Sequence, residues 1–217
     1  MSPQMIGFLF ESTWQTLEMV LVSCFVAVLF GLPLGVVLLV TRRGHVLEGV
    51  SVNRFIAIIV NAVRSVPFII LLVAITPFTR FIVGTSIGTI AAMVPLAISA
   101  IPFLARIVES AMEEVPAGLI EASQSMGASP MQIIRYVLVP EAMPGIIRGI
   151  TLTLITLVGY SAMAGAVGGG GLGDLAIRYG YQRFEVGVMI VTVVILIVMV
   201  QLLQWIGDRV ALRLAHR

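Results

Sequence analysis

The chain alternates long apolar runs with short polar intervals, and the length of the runs sets its surroundings. Five of them, at residues 17–40, 55–78, 82–106, 147–170 and 186–207, reach the ~20 residues that a helix needs to cross a hydrocarbon core. Each predicts a transmembrane helix. A closed β-barrel is the other spanning solution, but its strands alternate apolar and polar positions, whereas "MVLVSCFVAVLFGLPLGVVLLV" in the first run is apolar on every face. The pattern therefore predicts an all-α polytopic membrane protein with five spans, forming one transmembrane domain over residues 1–217.

The intervals at 41–54, 79–85 and 168–185 are short, and only residues 107–146 make a sizeable unit outside the membrane. That unit sets Glu109, Glu113, Glu114, Glu121 and Glu141 against Arg135, and Pro116, Pro130, Pro140 and Pro144 punctuate it. A proline inside a helix removes a hydrogen bond, so short helical pieces are expected here rather than one rod. "PAGLIEASQSMG" suits a helix with Pro116 at its first position and Gly127 as a left-handed carboxy cap. "SPMQIIRYVLV" suits a second short helix, with Ser129 as N-cap and Pro130 at the first helical position. Joined at a glycine, the two project Ile120, Met126, Ile133 and Val137 away from the membrane, a surface for which a lone chain has little use. An ordinary interhelical loop is the other reading that composition allows.

Composition agrees with a membrane setting: 59% of residues are hydrophobic, 11% are charged and the mean hydropathy is +1.09, where a soluble domain is roughly 25% charged. All 13 basic residues are Arg. Arg42, Arg43, Arg54, Arg106, Arg135, Arg148, Arg209, Arg213 and Arg217 lie beside the intervals after spans one and three or in the tail, against Arg80, Arg178 and Arg183 in the alternate intervals. The excess places the first set, and with it residues 107–146 and the carboxy terminus, in the cytoplasm, and the amino terminus outside. The sequence pI of 9.1 follows from this bias, so nucleic acid is not an expected partner; membrane lipid is. The opening "MSPQMIGFLFESTWQTLEMV" carries Glu11 and Glu18 and no basic cluster, which makes a poor cleavable signal.

Catalytic chemistry finds little purchase. Cys24 is a lone thiol within span one, and His45 and His216 lack ligand partners at metal-binding spacing, so no metal site is expected. "GGGGLG" at 168–173 has no Lys-Ser/Thr and follows no strand, so it is not a phosphate loop; it suits a sharp turn that a partner protein can approach closely. "GYSAM" at 159–163 would need a base for Ser161, yet neither histidine lies in a span and there is no Lys, while Asp174 has no partner carboxylate. An intramembrane protease is thus disfavoured, and a channel lacks an acidic ring. Span four is instead rich in small residues, namely Gly149, Gly159, Ser161, Ala162, Ala164, Gly165 and Ala166, which let helices from two copies approach closely. Tyr160, Ser161 and Met163 are its larger or polar groups, and candidates for a translocation pathway or gate. Arg64, about 15 Å into span two at the helical rise, calls for an interior hydrogen-bond partner. Pro67, Pro77, Pro95 and Pro102 are expected to kink spans two and three.

The stretch Glu121-Ala122-Ser123, Gly127, Val137, Val139-Pro140 resembles the Glu-Ala-Ala signature of the inner-membrane permeases of bacterial ABC importers, with its spacing intact and Ser123, Val137 and Val139 as its departures. The resemblance covers the whole chain, since five spans with the motif between the third and fourth is the compact form of such permeases, and it implies the type I importer fold. It also implies that Ala117, Ile120, Glu121, Ala122, Ser123, Met126 and Gly127 form a coupling segment that docks in an ATPase subunit. "AGAVGGGGLGDLAIRYGYQRF" at 164–184 and "RSVPFIILLVAITPFTR" at 64–80 are similar to the methionine-importing branch of that family. The implied assembly is two copies of this chain, two cytoplasmic ATP-binding subunits and an extracytoplasmic methionine-binding lipoprotein. The chain then carries no cofactor and is no enzyme: ATP and Mg belong to the partner subunits, whose closure swings the dimer from inward-facing to outward-facing. A permease for another small amino acid or an osmolyte is the alternative.

Overall fold

The computed structural model describes residues 3–215, so the residues His216 and Arg217 used above lie outside the described residues. Among the described residues every regular element is helical. They are α1 (Pro3–Val40), α2 (Val50–Ser65), α3 (Phe68–Ala74), α4 (Thr76–Val83), α5 (Thr89–Glu113), α6 (Ala117–Ser125), α7 (Pro130–Ile133), α8 (Val139–Ala166), α9 (Gly171–Leu175) and α10 (Val186–Ala215). A π-helical stretch, Ile134–Leu138, joins α7 to α8, and a second, Ala176–Tyr181, follows α9. Four helices are long and apolar enough to span a membrane, and the bent pair α2 and α3 brings the number to five where the pair counts as one broken span.

The centre is a packing of α1 on α5. The two run parallel: Ser23 donates to the Met93 carbonyl, Gly35 faces Ala105, and Arg42 pairs with Glu113 at 2.5 Å. Gly31 and Gly35, spaced as in a GxxxG helix-pairing motif, make the contact close enough that a β-carbon on Gly31 would lie 2.8 Å from the Ile101 carbonyl oxygen. One on Gly35 would lie 2.5 Å from that of Ala105. Without a hydrophobic drive between helices in lipid, such backbone approach and its dispersion contacts hold the pair. α8 lies antiparallel to α5, with Gly145 on Ala111 and Gly149 on Ile107, and α10 returns along α8 with Gly207 on Thr151. The buried side chains between them include Met19, Leu39, Leu96, Leu104, Met112, Leu138, Ile146 and Leu157, while Phe25, Phe55, Phe81 and Ile197 stand exposed on the outside.

Several predicted bounds are corrected. Span two is broken: α2 and α3 meet at 102°. Pro67 forces its predecessor out of the helical region, and Val66 is extended at φ −84, ψ 125. The span predicted at 82–106 starts at Thr89, because Gly84 caps α4 at φ +80, and it runs on to Glu113 through Pro95 and Pro102. Span one begins as early as Pro3. The largest correction concerns residues 130–146. They form no separate short helix; α7, the π stretch and α8 continue as one 37-residue helix, Pro130–Ala166. The ring of Pro140 would clash with the carbonyl four residues earlier, and the widened turn just before it absorbs the conflict.

Candidate functional site

At one end of the bundle α5, α6 and α7 build a projecting elbow. Pro116 is the N-cap of α6, one place earlier than expected, and the helix stops at Gly127, whose φ of +80 is open to glycine at little cost. Two hydrogen bonds lock the stop: Ala128 N–H to the Ser123 carbonyl at 3.0 Å and Gly127 N–H to that of Gln124 at 2.9 Å, the paired pattern of a Schellman motif. The next helix starts two residues later with a capping box. Ser129 accepts from the Gln132 N–H, and the Gln132 side chain accepts from the Ser129 N–H at 2.7 Å. The elbow therefore has a hydrogen-bonded stop, one linking residue and a hydrogen-bonded start.

The predicted coupling residues separate into two sides of this elbow. Ala117, Glu121, Ala122 and Gly127 are exposed, and Met126 is 81% exposed, a large apolar side chain held out from the chain. Ile120 is half-buried against the core, and Ser123 is buried with its hydroxyl donating to the Leu119 carbonyl at 2.7 Å. Ile120 and Ser123 thus fix α6 to the bundle while the others face outward. Behind them Ile133, Ile134 and Leu138 are buried in the main core, which seats the elbow at the foot of α8.

The second group lies along α8. Leu152, Gly159, Met163 and Ala166 are exposed and share one helical face, with Thr156 half-exposed between them. Met163 is 47% exposed. Tyr160 is half-buried and stacks on Phe68 of α3, ring centroids 4.4 Å apart and nearly parallel. Ser161 is buried and donates to the Val158 carbonyl, so it faces the interior and does not join Met163 on the surface.

The glycine run lies at the opposite end from the elbow, where Gly88 N–H donates to the Gly168 carbonyl. Gly168, Gly170 and Gly171 all take positive φ, as a sharp turn demands. The close approach this allows is to the chain itself: Gly171 N–H donates to the Gln15 side chain at 2.8 Å, Leu172 N–H to the Thr16 hydroxyl at 2.9 Å, and Gly173 lies on Ala162. Nearby Asp174 pairs with Arg178, which favours the protonated guanidinium further.

Arg64 is exposed at the end of α2 and forms no ion pair among the described residues, which corrects the interior role expected for it. The interior arginine is Arg106, which sequence reasoning assigned to the membrane edge because α5 was cut short there. It donates to Glu109 at 2.6 Å and to Asn61 of α2 at 3.0 Å, and Glu109 is buried. The Arg-x-x-Glu spacing was the available signal. Among the described residues no group of three or more His, Cys, Asp or Glu side chains is placed to hold a metal.

The fold defines an all-helical, multi-span membrane protein with an elbow projecting from one end of its bundle. The chain belongs to the family of binding-protein-dependent transport system inner membrane components, whose sequence model matches residues 27–216, and it is a multi-pass protein of the bacterial inner membrane. A probable D-methionine transport system permease protein of Vibrio cholerae is 58% identical over 209 residues, covering 96% of this chain and 93% of the relative. The D-methionine transport system permease protein of Escherichia coli K12 is 57% identical over 165 residues, 76% of each chain. A chain in the inward-facing MetNI methionine ABC transporter aligns over 99% of both chains with a TM-score of 0.97 and 53% identity.

Proposed function

We propose that the chain is the membrane-spanning permease of an ATP-driven importer and carries methionine by alternating access. The observation that carries this reading is the likeness in structure and sequence, over 99% of both chains, to a chain of a methionine ABC transporter. The working unit is a homodimer joined along the exposed face of α8 that carries Gly159, Met163 and Ala166, with two cytoplasmic ATP-binding subunits at the elbows and an extracytoplasmic methionine-binding lipoprotein at the glycine-turn end. ATP and Mg are held by the partner subunits.

In this reading the outward side of α6 enters a cleft of the ATPase. Met126 supplies the apolar anchor, and Glu121 seeks a basic group or N–H donors there, since a carboxylate buried without a partner is costly. Closure of the two ATPases draws the elbows together, and the Schellman stop and capping box pass the movement to α7 and α8 rather than absorbing it. Residues 107–146 are thus the coupling part of a single permease domain. Along the two-fold axis Met163 faces its copy, and its flexible thioether repacks as the helices move. Tyr160 is backed by Phe68, and Ser161 supports the wall from behind.

The test is reconstitution of this chain in vesicles with a copurifying ATPase subunit and binding protein, following labelled methionine. Uptake that needs ATP, the binding protein and a hydrolysis-competent ATPase is the expected result. Uptake of another amino acid but not methionine would refute the cargo, and flux without ATP would refute the importer mechanism.

A further inference from the structure

Helical threonines in this bundle share a habit. Thr13, Thr16, Thr76, Thr151, Thr153 and Thr192 each donate the hydroxyl to the carbonyl four residues earlier, which satisfies it locally. Thr79, one turn beyond Thr76 on α4, does not. It is 4% exposed, and its Oγ1 is buried without a hydrogen-bond partner among the described residues. Leaving a buried hydroxyl unpaired costs its full desolvation, so the position calls for a partner from outside the chain.

Thr79 lines a cavity of about 20 Å³ where three parts of the bundle meet: Thr76 and Thr79 from α4, Ala91 and Pro95 from α5, Ser86 from the turn between them, and Ala164 near the end of α8. Pro95 has no N–H, so the Ala91 carbonyl four residues before it lacks its helical donor. Two lining residues, Ala91 of α5 and Thr79 of α4, thus each carry a polar group without its usual partner. Among the described residues no hydrogen bond links α3 or α4 directly to α5.

We propose that this cavity binds one water molecule, bridging Thr79 Oγ1 to the Ala91 carbonyl. A water needs at least about 10–15 Å³ of this kind of space and two to four polar partners. The cavity meets the first need. Thr79, Ala91 and the Ser86 hydroxyl meet the second. Its lining includes no carboxylate, which favours a neutral molecule over a cation. The water is then the polar tie between the broken second span and α5, and because it can exchange partners the two can shift without stripping either group.

The experiment is a structure of the full chain, alone or with copurifying subunits, at a resolution that displays ordered water, for the wild type, Thr79→Ser and Thr79→Val. Density about 2.7–3.0 Å from Oγ1 is expected in the wild type and in Thr79→Ser, and its loss in the near-isosteric Thr79→Val. A wild-type structure in which Thr79 donates to the Ile75 carbonyl beside a dry cavity overturns the proposal. So does density that scatters anomalously after sodium is exchanged for thallium, which identifies a cation. Radiolytic labelling with isotopic water gives an independent readout: Pro95 is labelled in the wild type and in Thr79→Ser, and the label is lost in Thr79→Val. Equal labelling in all three refutes the bridging water.

Discussion

Gly127 carries the most consequence for its size. At φ +80 a residue with a β-carbon is strained by roughly 1–2 kcal/mol, and valine, being branched there, is among the least tolerant. Nothing lies within 4 Å of the added carbon, so the Gly127→Val cost falls on the backbone turn and the direction of α6, not on packing. Gly127→Val should leave the chain in the membrane and weaken copurification of the ATPase; normal association and coupling would remove α6 from the docking role. At the other group, Met163→Ala should make resting vesicles leakier to small solutes, and an unchanged leak together with failure of paired cysteines at 163 to cross-link would exclude Met163 from the gate. Gly127 and Ser129 were legible as caps because their chemistry is local. The inward turn of Ser161 was not, because which face of α8 is covered depends on α5 and α10.

Among elements, the most extensive joint is α1 on α5. Gly35→Val would drive a branched side chain into the Ala105 carbonyl and Val108, an overpacking worth about 1–3 kcal/mol, and should lower the thermal midpoint of the purified chain; an unchanged midpoint would show that the helices can separate freely. Arg106 ties α5 to α2 by its hydrogen bond to Asn61 and is ion-paired with Glu109 within α5. Removing only the carboxylate with Glu109→Ala leaves Arg106 largely buried and unpaired, for which about 3–5 kcal/mol is typical, whereas Arg106→Leu with Glu109→Leu should cost much less. Equal losses in thermal denaturation of the two variants would show that the pair is solvated. Element existence was legible in the sequence and element ends were not. Pro140 and Pro144 suggested breaks in a helix that in fact continues, because a widened turn accommodates the first and the surrounding core holds the helix through the second. Pro67 did break its helix, because it holds Val66 extended where a helix would have to continue.

For the whole molecule the arginine asymmetry sets an orientation that labelling can check. With Cys24 buried, a membrane-impermeant maleimide applied to intact cells should modify Phe184→Cys, 82% exposed at the glycine-turn end, and spare Met126→Cys at the elbow. The reverse pattern would invert the topology. Apolar run length revealed the four long spanning helices and the bent pair before any contact was known, whereas the burial of Arg106 became visible only once α5 was seen to extend to Glu113. The continuity of Pro130–Ala166 has a mechanical consequence. Met163 stands 33 residues from the start of that helix, about 50 Å at 1.5 Å per residue, so the elbow is the short end of a long lever. A rotation of about 5° about its foot sweeps the far end through roughly 4 Å, about the thickness of one side chain. The amplification lies in the length of the helix: under the coupling proposed above, a small stroke at the elbow is geared up to the width of a side chain at Met163.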